Sequence, residues 1–365
     1  MIPCPQRGEG GDPRSGEGKG GPTRPASPDK NLIGGASPSP CPIPGGERGG
    51  GAEGARAGEG ELLASLRAGG KPALAAALAR IEEAPDAPAT LDLLDAAFVA
   101  PCAHVIGVTG PPGVGKSTLI GALIQRWRGA GRTVAVIAVD PSSRLSGGAL
   151  LGDRMRLRTD PADGGLFVRS MAARDRLGGL SALTFAAMVL MRALYDIVVI
   201  ETVGVGQSET EIVGAADTVL LCIQPGAGDS LQFMKAGIVE IPHIMVVTKS
   251  DVGDAAERAR IDAVAALRLG GRPGPGAWAT PVLRVAAATG EGLAQLVAAA
   301  ADHLAWLAAE DRLAAARRRQ AEDWFLEAVR ERFGREGVRR AAPSGEAADA
   351  SPFRRLAALS RRSGG

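Results

Sequence analysis

The stretch Gly110-Pro111-Pro112-Gly113-Val114-Gly115-Lys116-Ser117 constrains this chain more than any other. It follows an apolar, strand-like run, His104 to Thr109, and opens a helical pattern that continues from Thr118 to Arg128. Strand, glycine-rich turn and helix in that order make the spacing G-x-x-x-x-G-K-S a phosphate-binding P-loop. The glycines let the backbone wrap until successive N–H groups face phosphate oxygens, and the helix N-terminus adds partial positive charge. Lys116 brings a point charge to the β- and γ-phosphates, and the Ser117 hydroxyl ligates Mg²⁺ bridging them. Residues Gly110 to Thr118 are therefore the first candidate nucleotide-binding set. The alternative, a glycine-rich turn that matches by accident, does not account for the flanking strand and helix.

Six more short β-rich runs follow or flank this one, separated by helical patterns. They are Thr133 to Val139, Leu166 to Arg169, Ile197 to Glu201, Thr218 to Gln224, Ile244 to Thr248 and Val282 to Val285. Such alternation predicts an α/β fold, a P-loop domain with a mainly parallel, doubly wound sheet that binds ligands beyond the C-terminal ends of its strands. With 365 residues, 45% of them hydrophobic, the chain can bury a full α/β core and still carry appendages. Residues 1–57, rich in Gly, Pro and Ser, read as a disordered extension. Residues 58–100 read as an N-terminal helical hairpin, with Leu62, Leu63 and Leu66 on one helix and Leu74, Leu78 and Ile81 on the next. The nucleotide domain spans 101–310, a helical segment 311–340, and a loose tail 341–365. Within the helical segment, Arg317-Arg318-Arg319 reads most simply as a solvated face.

Charge and cysteines exclude several classes. The 42 basic residues nearly balance 40 acidic ones, a net +2 that offers no electrostatic case for nucleic acid or an acidic membrane. Cys4, Cys41, Cys102 and Cys222 lack metal-ligand spacing and point to a reducing cytoplasm, not a disulfide framework. The longest weakly charged apolar run, Leu177 to Met191, ends at Arg192 and is too short for a bilayer. Charges at Arg7, Glu9, Asp12, Arg14 and Glu17 interrupt any signal peptide.

The remaining candidates stand at strand ends. Asp140 closes the second run and Asp153 follows in the loop beyond; either carboxylate can hold Mg²⁺ through water, or else cap a turn. Glu201 ends an apolar run, as the second metal-side group of a P-loop enzyme does. Gly204, with no side chain between its N–H and the γ-phosphate, can sense that phosphate. Thr248-Lys249-Ser250-Asp251 selects the base: an aspartate accepts from both N1–H and N2–H₂ of guanine, whereas adenine leaves it unpaired. The nucleotide is therefore read as GTP. Ala286-Ala287-Ala288 follows the last run, where a backbone N–H can meet guanine O6.

Together these residues closely resemble the methylmalonyl-CoA mutase-associated GTPases, chaperones for adenosylcobalamin delivery to acyl-CoA mutases. The resemblance covers about Glu61 to Phe333 and is most specific in Gly110–Thr118, Ala138–Ser143, Leu151–Arg154, Glu201–Glu209 and Gln224–Asp229. It implies a homodimer using residues 311–340 and a switch loop around Asp229 and Lys235. It also implies metal-side carboxylates at Asp140, Asp153 and Glu201, GTP/GDP and Mg²⁺ as bound groups, and hydrolysis used as a gate. The implied partners are a mutase of the methylmalonyl-CoA type and, as a further candidate, a cobalamin adenosyltransferase. Thr248 stands where the family has Asn, and Ala286 where it usually has Ser. Losing the Asn predicts one missing hydrogen bond near the base.

Gln207 lies too far beyond Gly204 to be assigned the attacking water, and no arginine stands out as a catalytic finger. The expectation is slow intrinsic hydrolysis that a partner accelerates. Rival readings are a nickel- or other metallocentre-assembly GTPase, an ATP-dependent small-molecule kinase, and an interaction module with a degenerate site. The first should show His and Cys clusters, and His104, His243 and His303 are isolated in sequence. The kinase would lack the Lys249-Ser250-Asp251 signature, and intact Lys116 and Ser117 argue against the module.

Overall fold

The computed structural model describes residues 53–141, 160, 162–173, 181–202, 211–226, 242–269, 274, 276–341 and 350–363. Seven strands form its centre: β1 (His104–Thr109), β2 (Val134–Pro141), β3 (Leu166–Ala173), β4 (Ile197–Glu201), β5 (Thr218–Ile223), β6 (Ile244–Val247) and β7 (Val282–Arg284). They make one sheet in the order β3-β2-β4-β1-β5-β6-β7, and every neighbouring pair is parallel. All seven runs expected from the sequence are strands. Each central strand is buried on both sides, which is why it reads as a continuous apolar run and not as an alternating one.

Alternate residues of those strands feed two cores. Ile106, Val108, Val134, Val136, Val199 and Leu220 pack on α4 (Lys116–Gly129) and on a later helix, α7 (Leu293–Ala308). Val105, Ala135, Ile137, Val198, Ile200 and Val219 pack on the opposite layer, which includes α5 (Ala182–Leu194). The Ser181 side chain caps α5 by accepting from the Thr184 amide at 3.2 Å. A smaller core joins Leu221, Ile223, Met245 and Val247 to α6 (Asp254–Leu269).

The N-terminal element holds three helices, α1 (Glu53–Ala68), α2 (Gly70–Glu83) and α3 (Pro88–Val99), where a hairpin was expected. Pro88 sits in the first turn of α3, where its missing N–H costs nothing. Leu91, Leu94 and Ala97 below it are buried in the main core. α1 begins at Glu53, inside the stretch expected to be disordered up to residue 57.

The C-terminal part differs more. α8 (Arg312–Arg340) is interrupted at Gly334, whose φ is 66°. Arg317 is not on a solvated face: its guanidinium donates to both carboxylate oxygens of Asp217 and to the Ala103 carbonyl, at 2.7–2.9 Å. The Asp217 side chain is 1% exposed, so this pair ties α8 to the sheet. The tail expected to be loose from residue 341 contains a further helix, α9 (Pro352–Ser363). Phe353, Leu356 and Ala357 are buried by it against α3, α5 and α8, and Arg355 pairs with Glu322 at 2.6 Å. Spacing of i, i+3, i+4 places those three apolar groups on one face, and that is what holds the helix down.

The histidines, isolated in sequence, meet at the amino ends of β1, β5 and β6. His104 Nε2 lies 2.6 Å from Thr218 Oγ1, and His303 Nδ1 lies 2.8 Å from the same hydroxyl. His243 and His303 stack with centroids 4.2 Å apart. The Val219 amide donates to His243 Nδ1, so that nitrogen must keep its lone pair. Burial lowers His104 and His243 to about 4 and His303 to about 3. No group of three metal-ligating side chains occurs among the described residues.

Candidate nucleotide site

The site forms where β1 ends. Gly110 has φ 134° and Gly115 φ 101°, conformations that L side chains rarely adopt. A Cβ on Gly110 would also collide with the Cys222 carbonyl of the adjacent strand, so the loop leaves the sheet at its closest approach to β5. Cys222 itself is fully buried, and burial pushes its thiol up to about 12, which removes it from any chemistry here. Val114, buried beneath the loop, anchors the turn in the α4 core.

Lys116, in the first turn of α4, is buried and donates to the Gly110 and Pro111 carbonyls at 2.7 and 3.2 Å. The ammonium thus lies folded against the loop that would cradle phosphate. Ser117 donates its hydroxyl to Glu201 Oε1 at 2.7 Å. A hydroxyl and a carboxylate are the oxygen donors Mg²⁺ takes, and this pair brings one of each together, so the residues fit that ion. In register, Glu201 faces Val108 on β1 and Ala138 on β2, two residues before Asp140. Asp140 thus ends the neighbouring strand on the same edge. Its side chain, together with Asp153, Gly204, Asp229 and Lys235, lies outside the described residues. Thr202, the residue after Glu201, donates its hydroxyl to Thr109 at 2.9 Å and so joins the ends of β4 and β1.

The base loop follows β6. Thr248 is buried, and its hydroxyl lies 2.7 Å from the Val114 carbonyl and 3.0 Å from that of Ile223. The threonine that stands in place of the family's Asn is thus bonded to the P-loop itself. Lys249 adopts φ 52°, ψ 43°, and its ammonium donates to the Gly113 carbonyl and to Gln224 Oε1, each at 2.9 Å. Asp251 is exposed, as a base-reading carboxylate must be before its ligand arrives. Behind it, the Ser250 amide donates to the Val285 carbonyl at 3.3 Å, which places Ala286-Ala287-Ala288 beside the base loop. The Ala286 amide is itself used by Glu291, so within that triplet Ala287 and Ala288 are the amides left for a base.

Sequence reasoning gave Gln224, Thr109 and Thr202 no role. The signal for Gln224 and Thr202 was that each falls in a stretch where the family resemblance is most specific, Gln224–Asp229 and Glu201–Glu209; Thr109 carried none beyond its position beside the P-loop.

A P-loop hydrogen-bonded to the loop after β6, along the carboxyl edge of one parallel sheet, is the frame of a P-loop GTPase, and the comparisons with known proteins identify the chain as one. Residues 74–341 match the family described as Methylmalonyl Co-A mutase-associated GTPase MeaB. The chain belongs to that family. Among its relatives, a Pyrococcus horikoshii protein named as a GTPase is 44% identical over 223 residues, covering 60% of this chain and 70% of its own. GTPase ArgK of Escherichia coli is 36% identical over 279 residues, 74% of this chain and 83% of that one. The mouse methylmalonic aciduria type A homolog, a mitochondrial protein, is 38% identical over 235 residues, 63% of this chain and 56% of that one. A crystal structure titled LAO/AO transport system kinase superposes with a TM-score of 0.59 at 29% identity, covering 85% of this chain and 98% of its own. No helix among the described residues is long and apolar enough to cross a membrane.

Proposed function

We propose that this GTPase is a chaperone that gates adenosylcobalamin loading and protection of an acyl-CoA mutase of the methylmalonyl-CoA type. The observation that carries the reading is the family match over 74–341, which contains every described element of the nucleotide site. The relationship to the mouse methylmalonic aciduria type A homolog supports the same pathway.

In the mechanism, the Lys116 ammonium exchanges the Gly110 and Pro111 carbonyls for β- and γ-phosphate oxygens. The amides of Gly113 to Ser117 line the same phosphates from the helix N-terminus. Ser117 and Glu201, with Asp140 and Asp153 as further carboxylates, would hold Mg²⁺. That ion, when bound, supplies positive charge against the phosphate oxygens. Water attacks the γ-phosphorus in line as the β–γ bridging P–O bond breaks, and the products are GDP and phosphate. Asp251 holds the guanine edge throughout.

The intrinsic rate is expected to be slow, because Gln207 lies too far along the chain from Gly204 to be assigned the attacking water. Gly204, Asp229 and Lys235 are the residues through which, on this reading, the nucleotide state is coupled to the partner, and that coupling is the gate. The active form is a homodimer built through residues 311–340. Single-turnover GTP hydrolysis measured with and without a methylmalonyl-CoA mutase tests this. The expected result is a slow rate alone and a faster one with the mutase; an equal, fast rate in both rejects the gate.

A further inference from the structure

Lys249 poses a physical problem that its place in the base loop does not solve. A non-glycine residue at φ 52°, ψ 43° is held there against its own preference and persists only where its surroundings over-determine it. Its neighbours supply part of that: Thr248 donates its amide to the Ile223 carbonyl at 2.8 Å, and Ser250 to that of Val285 at 3.3 Å. The rest comes through the side chain. The exposed ammonium is held by two neutral oxygens from two different loops, the Gly113 carbonyl and the Gln224 side-chain oxygen, both at 2.9 Å.

Gln224 is well placed to be a fixed point. It is the first residue past β5, and the strand it leaves is paired with β6 as far as Ile223 and Val247. Immediately after it, Pro225-Gly226 carries a proline followed by a glycine at φ 74°, the residue pair of a type II turn. Its backbone is thus clamped by a strand on one side and a rigid turn on the other. What the amide supplies is an acceptor without negative charge, which holds an ammonium yet leaves that cation's field available to a ligand.

We propose that Gln224 is a positioning residue for guanine-nucleotide binding: it holds Lys249 over the P-loop and so sets the affinity of the base site. The consequence is directional. Displacing Gln224 frees Lys249 to relax from its left-handed conformation, so the guanine loop loosens while the phosphate grip of Lys116 and Ser117 stays intact. The effect is on binding and exchange, not on the hydrolytic step.

The test uses the full-length protein with GDP, GTP and ATP as probes. Gln224→Met keeps the length and removes the acceptor; Gln224→Glu keeps an acceptor and pairs with the ammonium. For Gln224→Met the Kd values of GDP and GTP are expected to rise about fivefold, the scale of a lost charge-assisted hydrogen bond to an exposed ammonium. kcat at saturating GTP should change less than twofold, GDP release should accelerate by the same factor as the Kd, and the Tm should hold within a degree or two. Gln224→Glu should bind within about twofold of the parent. In a Lys249→Met background, Gln224→Met should add nothing further. Unchanged GDP affinity in Gln224→Met overturns the proposal, and so does a loss that is undiminished in the Lys249→Met background. A loss that comes with an equal fall in kcat and a lowered Tm makes Gln224 a merely structural residue and also overturns it.

Discussion

Thr248 shows how a short side chain can take over a position usually filled by a longer one. Its hydroxyl has a single hydrogen and stands within bonding distance of two carbonyls, one on the P-loop and one on β5. Thr248→Val keeps the shape, removes that hydrogen and leaves the buried Val114 carbonyl short of a donor. The expected cost is about 1–3 kcal/mol, read as a Tm lowered by several degrees, together with weaker GTP binding. A variant as stable and as tight as the parent would show that the hydroxyl holds nothing. Asp251 makes the complementary prediction. Asp251→Ala gives up two charge-assisted bonds to guanine, so the preference for GTP over ATP measured by calorimetry should shrink by about 100-fold or more. At this scale much of the site was legible. Lys116, Ser117, Glu201 and Asp251 announce themselves because each chemistry demands one residue type at one spacing. Gln224 did not, since an uncharged amide at a strand end has many uses and its partner lies 25 residues away.

The strands could be read from sequence because a parallel sheet covered on both faces writes itself as apolar runs. The C-terminal helices could not be read so directly. Arg317 falls in a run of three arginines whose composition suggests solvent, yet Arg317, Gln320, Ala321 and Trp324 recur at i, i+3, i+4 and i+7 and share one inward face. That face meets Asp217, the Val213 and Ala216 carbonyls and α5, so periodicity held the answer there and charge content obscured it. The same holds for α9, whose apolar residues are few and follow a Gly-, Ser- and Pro-containing stretch that reads as tail. Phe353 ties this helix to Phe185 and Trp324, with centroids 6.2 and 4.8 Å away. Phe353→Ala is expected to cost about 3–5 kcal/mol of stability while GTP affinity stays within twofold, because α9 packs on the layer opposite α4. Denaturant unfolding followed beside nucleotide titration checks both halves. A large loss of GTP affinity would mean that α9 reaches the site.

Across the whole molecule the two ends of the sheet carry different chemistry. Nucleotide loops leave the carboxyl edge, and the three neutral histidines, Thr218 and the Asp217–Arg317 pair fill the amino edge. All three imidazoles take up a proton less readily in the folded chain than at their ordinary value of 6.5. Between pH 6.5 and about 4 the unfolded chain therefore binds protons that the folded chain refuses. The contribution of these histidines to stability is complete above pH 6.5 and is lost as pH falls toward 4. Asp217 adds to the loss at still lower pH. There Arg317 and the backbone amide of Val105 outweigh burial and keep the Asp217 carboxyl below its usual range. The Tm should be level from pH 8 to about 6.5 and drop steeply below it, and a Tm unchanged down to pH 4.5 contradicts this.

The same polarity decides what light can report. Trp278 donates to the His243 carbonyl and Trp306 to that of Gly276, at the amino edge, while Trp324 stacks on Phe185 beneath α8. Trp127 closes α4 eleven residues beyond Lys116, about 16 Å along the axis. All four indoles thus watch the scaffold from places the nucleotide does not touch. Intrinsic emission is therefore a gauge of folding first, and a fluorophore carried by the nucleotide would meet Trp127 through energy transfer across that distance and not through contact.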